Sequence, residues 1–169
     1  YGDWSSDVCS SDLAGLIVGR RAAVDAVRRH PLMRALRADK LTYAALEGTL
    51  ALWAQAPARR NLPIYRMLTA TIDDLDRRAT ALARTLSALP GITAAVIDGV
   101  STIGGGSAPG SALPTRLVAV TAEGSTASAL EAKLRQADPP VIARIENDRV
   151  VLDVRTIAVE DEDAIVRAF

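Results

Sequence analysis

Arg34 and Arg37 stand three residues apart in the run Pro31-Leu32-Met33-Arg34-Ala35-Leu36-Arg37-Ala38-Asp39-Lys40-Leu41-Thr42. On one turn of helix that spacing points both side chains the same way. Two guanidinium forks on one face suit an oxyanion such as phosphate, sulfate or carboxylate. Arg-x-x-Arg alone is also common as surface charge, so the charge around it has to be weighed. The chain has 169 residues and a formal net charge of zero, yet the charge is unevenly spread. Residues 14–66 hold ten Lys or Arg against three Asp or Glu, whereas residues 67–169 hold ten against fourteen. A basic first third on a neutral chain favours an anionic ligand or partner for that part. A solvated helix surface would carry the same charge.

Few other residues could do chemistry. Cys9 is the only cysteine, which excludes an internal disulfide and a cysteine-rich zinc site. His30 is the only histidine, which excludes a multi-histidine metal site. Next to Pro31 it reads as a helix-end histidine favoured by the macrodipole rather than a catalyst. The loop Gly104-Gly105-Gly106-Ser107-Ala108-Pro109-Gly110 lacks the Lys-Ser/Thr of a P-loop, and a strand rather than a helix follows it. It reads as a flexible connection between strands. The acidic residues fall on helix faces and caps, not as a pair fit for glycoside chemistry.

Several elements must position these groups. Hydrophobic residues make up 49% of the chain and aromatics only 4%, so the core is built from Leu, Val, Ile and Ala. Tyr1–Leu13 has neither helical nor strand period and gives way abruptly to apolar Ala14–Gly19; it resembles translated sequencing-adapter sequence, a non-native or disordered segment. Ala14–Gly19 reads as a strand and Arg20–Arg29 as a helix with an Asp25–Arg29 pair, ended by His30-Pro31. Thr42 is the expected cap of a helix from Tyr43 to Gln55, with Leu46, Leu50 and Trp53 on one face. Thr71 caps the strongest helix, 71–89, with Asp74 in a capping-box arrangement. Ile72, Leu75, Ala79, Leu82, Leu86 and Leu89 form its stripe, and Asp73–Arg77 and Asp74–Arg78 are its expected ion pairs. Strands are expected at 92–100, 116–122, 141–145 and 150–154, with a helix at 125–136 and a turn at Asn147-Asp148. An acidic helix starts at Val159 and runs to Phe169, where the pattern stops as though cut. The fold class is α/β, with an α+β small domain of helices on a mostly antiparallel sheet. No apolar run approaches the roughly 18 residues needed to cross a bilayer. No secretory signal is visible. Both absences favour a cytoplasmic protein without a membrane partner.

The runs Ala14-Gly15-Leu16-Ile17-Val18-Gly19-Arg20 and His30-Pro31-Leu32-Met33-Arg34-Ala35-Leu36-Arg37-Ala38-Asp39-Lys40-Leu41-Thr42 resemble the bacterial selenocysteine synthase family, the L-seryl-tRNA(Sec) selenium transferases. The likeness continues through Arg66-Met67-Leu68-Thr69, Gly104-Gly105-Gly106-Ser107 and Leu113-Pro114-Thr115. It goes on through Pro139-Pro140-Val141-Ile142-Ala143-Arg144-Ile145 and Val151-Leu152-Asp153-Val154-Arg155-Thr156, in the family's order and over essentially Ala14–Phe169.

The resemblance implies a fold-type-I enzyme dependent on pyridoxal 5'-phosphate that replaces the seryl hydroxyl on tRNA(Sec) with selenium from selenophosphate. It implies seryl-tRNA(Sec) and selenophosphate as partners and a homo-oligomer, a ring of dimers. The family's cofactor lysine lies in a Ser-Gly-Asp-Lys-x-x-Gly-Gly-Pro-Gln-Ala-Gly stretch, of which only Ala14-Gly15 stand here. The two lysines, Lys40 and Lys133, are not in that position. The chain is therefore expected to be a C-terminal fragment, inactive alone, that does not itself hold the cofactor. Arg34 and Arg37 match the family's selenium-donor anion-binding arginines. The implied organisation is a non-native segment 1–13, a remnant of the large cofactor domain at 14–66 and a small α/β domain at 67–169. Two other readings stay open: a related enzyme such as an ammonia lyase of phosphorylated amino-sugar acids, and a stand-alone α+β module binding an anion or nucleic acid.

Overall fold

The computed structural model describes residues 17, 19–103, 110 and 112–169. The segment 1–13 and most of the expected strand 14–19 lie outside the described residues, as does the glycine loop 104–109; Ile17, within that expected strand, has no regular structure. The chain divides into two compact units, Tyr1–Leu62 and Pro63–Phe169.

The first unit is helical among its described residues: α1 (Arg21–Arg29), α2 (Leu32–Ala35), α3 (Lys40–Ala54) and a 3-10 turn at Ala58–Asn61. Asp25 does not pair with the Arg29 guanidinium as expected. Its carboxylate faces Arg21 at 3.6 Å and Arg28 at 3.7 Å, while Arg29 Nε donates to the Asp25 carbonyl. The cap of α3 is Asp39 rather than Thr42. Its carboxylate accepts the Thr42 N–H at 2.7 Å, and that bond holds its pKa below the ordinary carboxylate range. An anionic side chain at the N-terminal end serves the orphan N–H groups better than a hydroxyl three residues later. The apolar face of α3 is not buried in this chain: Leu50 and Trp53 are exposed, and Leu41 is 80% exposed.

The second unit opens with α4 (Pro63–Thr69). Pro63 occupies its first position, where a missing N–H costs nothing. Thr71 caps α5 (Ile72–Ser87) as expected: its hydroxyl accepts from Asp74 N and donates to the Asp74 carboxylate at 2.8 Å. The ion pairs of α5 differ from expectation. Arg77 pairs with Asp74 one turn back, and Arg78 reaches Glu162 at 2.8 Å instead of Asp74. Leu75, Ala79, Leu82 and Leu86 form the buried stripe, joined by Ala83.

Strands β1 (Ile92–Thr102) and β2 (Ala112–Ala122) form a long antiparallel hairpin in register from Ile92↔Ala122 to Thr102↔Ala112. After α6 (Ala127–Arg135), β3 (Arg144–Glu146) and β4 (Arg149–Asp153) complete an antiparallel sheet of order β1-β2-β4-β3. α7 (Glu162–Ala168) closes the chain, preceded by a 3-10 turn at Val159–Asp161 where the acidic helix was expected to begin. Asn147 and Asp148 form the expected turn, with φ of 50° and 57°. β2 starts four residues before its expected start, although Pro114 lies inside it. Proline is tolerated there because β4 pairs only with Leu117–Val120, so β2 is an edge at Pro114 on that side. Val141–Ala143 is not a strand: Pro139-Pro140 precedes it, and the Val141 N–H closes the end of α6 by donating to the Leu134 carbonyl.

α5 packs against β1 and β2, α6 against β2, β3 and β4, and α7 against α5. The core therefore lies on one sheet face, where Val118, Val120, Val150 and Leu152 meet Leu75, Leu86, Leu134 and Ile165. On the opposite face Leu117, Ala119 and Val151 cluster with Ile97. Gly99 keeps that face open for Leu117, since a Cβ at Gly99 would lie within 2.5 Å of Leu117 Cγ. No helix among the described residues is long and apolar enough to cross a membrane.

Candidate anion-binding site

Two groups of arginines exist, and their surroundings separate them. In the second unit Arg66, Arg78 and Arg155 line one concavity of about 330 Å³. Each is already engaged. Arg66 faces Glu160 at 3.4 Å; the Glu160 pKa is lowered chiefly by a backbone N–H and further by the Arg66 charge. Arg78 binds Glu162 and donates to the Ile157 carbonyl at 2.7 Å. Arg155 is 7% exposed and donates to the carbonyls of Met67 (2.6 Å), Ala70 (3.3 Å) and Pro114 (2.6 Å). Its own N–H donates to Asp153, which also accepts from Ser101 and Thr115. These contacts fasten the end of α4 and the start of β2 to the chain after β4. Arg116 is likewise held by Asp76 and Asp98, and the Asp76 bond raises its pKa.

In the first unit Arg21, Arg28 and Arg29 are engaged with Asp25, and Arg59 donates to the Trp53 carbonyl; Arg34 and Arg37 differ from them. α1 ends at His30, which leaves the helix in an extended conformation, and Pro31 redirects the chain into the short α2. Arg34 lies within α2. Arg37 lies beyond it, because Leu36 ends the helix at φ −93° and ψ 9°. The expectation that the pair rides one turn of helix is therefore corrected: one member is on the turn, the other just past it. Both nonetheless line one open concavity of about 590 Å³ with Arg28, His30, Pro31 and Met33. Among the described residues neither Arg34 nor Arg37 makes an ion pair or a side-chain hydrogen bond. Two unneutralised forks on one concave surface can take an oxyanion and cannot move its protons, because a guanidinium stays charged.

His30 was read only as a helix end. The structure confirms that place and adds a contact: His30 Nδ1 accepts the Leu32 N–H at 3.2 Å. The sequence signal for it was a histidine two residues before a helical N–H left free by Pro31.

No group of three or more His, Cys, Asp or Glu among the described residues could hold a metal. Lys40 is the first residue of α3, and Lys133 donates from α6 to the Phe169 carbonyl at 2.5 Å. Neither lines the concavity of Arg34 and Arg37.

The chain belongs to the L-seryl-tRNA selenium transferase family, whose profile matches residues 5–158. That range begins inside the segment 1–13. Enzymes of this family are dependent on pyridoxal phosphate and of fold type I. The chain is 46% identical over 158 residues to the L-seryl-tRNA(Sec) selenium transferase of Geobacter sulfurreducens, covering 92% of this chain and 34% of the relative. It is 50% identical over 147 residues to that of Nitratidesulfovibrio vulgaris, covering 85% and 31%. It is 40% identical over 158 residues to one from Clostridium botulinum, again covering 92% and 34%. The chain thus spans about a third of the length of the curated relatives it matches.

Proposed function

We propose that this chain is the part of a selenium transferase that receives the selenium donor, with Arg34 and Arg37 holding selenophosphate for transfer to seryl-tRNA(Sec). The observation that carries this reading is the contrast between the two arginine groups: those of the second unit are spent on structure, and this pair has no partner among the described residues and lines a concave surface. The pair neutralises and orients a tetrahedral anion through bidentate donors. It takes no part in proton transfer.

Pyridoxal phosphate, when bound in a complete enzyme, supplies the electron sink for loss of the seryl hydroxyl. The lysine that anchors it is, on this reading, neither Lys40 nor Lys133, the two lysines of the chain. On this reading residues 14–66 continue a larger cofactor domain, and 67–169 form the small domain whose buried face makes a rigid support. A cytoplasmic ring of dimers fits the same reading. A stand-alone nucleic-acid module is not favoured over a reading that follows the identity to the transferases along most of this chain. A phosphate-handling ammonia lyase would share the arginines but not the identity to the transferases.

The test is a chimera in which residues 14–169 replace the matching third of the Geobacter sulfurreducens enzyme. With selenophosphate and seryl-tRNA(Sec) it is expected to form selenocysteinyl-tRNA(Sec). A folded, cofactor-loaded chimera that eliminates the seryl hydroxyl but never incorporates selenium refutes the proposal.

A further inference from the structure

We propose that His30 is a third anion-contacting residue of the Arg34–Arg37 site, donating through its Nε2–H; this rests on the reading of that pair as an oxyanion site. His30 Nδ1 accepts the Leu32 N–H at 3.2 Å. A neutral imidazole has one donor and one acceptor nitrogen, so an acceptor at Nδ1 places the proton on Nε2. Among the described residues Nε2 has no hydrogen-bond partner. The same residue lines the concavity with Arg34 and Arg37. The Leu32 N–H would otherwise be an unpaired helix-start donor, and Pro31 supplies none of its own. One local contact thus stabilises the chain reversal and selects the tautomer.

The consequence is a surface that presents donors. Arg34, Arg37 and the Nε2–H all donate, and among the described residues no Asp or Glu lines this concavity. Arg28, the remaining cation there, is drawn to Asp25 at 3.7 Å on the preceding turn. A donor-only site favours a fully ionised tetrahedral anion, whose oxygens all accept, over one carrying a protonated oxygen that itself needs an acceptor. Histidine therefore adds selection of the ionised form to the charge that the arginines provide.

The chain has one histidine, so its imidazole gives a single set of signals in a nitrogen-15 and proton spectrum. The whole chain is titrated with inorganic phosphate at fixed ionic strength, at a pH above the ordinary imidazole range. The free protein is expected to show the Nε2–H tautomer. Phosphate is expected to move the His30 signals saturably, and the Arg34→Ala/Arg37→Ala double variant is expected to abolish the change. His30→Asn keeps an acceptor for Leu32 but no donor at the ring's far end, and should weaken phosphate by about tenfold. His30→Gln places an amide N–H near the Nε2 position and should stay within about threefold of wild type. If calorimetry shows phosphate bound by the arginines while the His30 signals stay still, or if His30→Asn binds as well as wild type, the inference is overturned and the arginine reading stands. If wild type binds no phosphate, both fall together.

Discussion

Replacing Arg155 by Met removes the charge and keeps the length of the stem. The side chain is 7% exposed and serves three carbonyls, two of them at 2.6 Å. A buried acceptor left without a donor costs about 1–3 kcal/mol, and hydrogen bonds to charged groups stand at the upper end. The Ala70 contact at 3.3 Å is long and adds little. The two short bonds therefore set the loss at about 2–5 kcal/mol, a large part of the about 5–15 kcal/mol that holds a typical domain together. Arg155→Lys should fall between wild type and Met, because an ammonium on a flexible stem cannot serve Met67 and Pro114 as a fork does. Urea unfolding followed by far-ultraviolet circular dichroism measures this. Tryptophan fluorescence is unsuited, since Trp4 and Trp53 both lie in the first unit. A change below about 1 kcal/mol for Arg155→Met, with an unaltered slope, refutes the claim that this side chain fastens α4 and β2.

Three further outcomes follow from the fold. Gly99→Ala drives a methyl against Leu117 and should destabilise by about 1–3 kcal/mol in the same urea assay, and by less when introduced into a Leu117→Ala background. Thr71→Ala removes the α5 cap and should cost about 1 kcal/mol by thermal unfolding, whereas Thr71→Ser, which keeps the hydroxyl, should be close to neutral. Asp39, Asp74 and Glu160 have pKa values lowered by the Thr42 N–H, the Thr71 hydroxyl and a backbone N–H respectively. Their folded-state pKa values lie below the unfolded ones, so their contribution is complete above about pH 5 and is lost as pH falls through the folded values. The urea midpoint should therefore drop between about pH 5 and pH 2, and less steeply in an Asp39→Asn/Asp74→Asn variant.

The second unit was readable where one periodicity governs a whole element. The stripe from Leu75 to Leu86 predicts α5, and Asn147-Asp148 between apolar runs predicts the β3–β4 turn. Legibility failed where a tertiary partner overrides local preference. The strand expected from Arg116 begins at Ala112 instead, with Pro114 beyond the reach of β4 and its carbonyl receiving Arg155. Arg78 was assigned to Asp74 by helical spacing, but Glu162, far along the chain, satisfies it. Thr42 lost the cap to Asp39, a competition that residue type alone could have decided. At the candidate site the spacing of Arg34 and Arg37 foresaw their convergence but not its means, because Leu36 ends the helix between them. The role of His30 was hidden because the acceptor contact with Leu32 depends on the chain reversal at Pro31.

The claim that the arginine pair receives the selenium donor is tested most directly by selenophosphate kinetics of Arg37→Ala in the chimeric enzyme, with elimination of the seryl hydroxyl measured on the same preparation. Loss of one bidentate contact is worth about 1.5–3 kcal/mol, so the KM for selenophosphate should rise roughly ten- to a hundredfold. Elimination should be little changed, and Arg37→Lys should recover only part of the loss because a point charge cannot replace the fork. An unchanged KM in both Arg34→Ala and Arg37→Ala, with selenation proceeding normally, would show the pair to be surface charge.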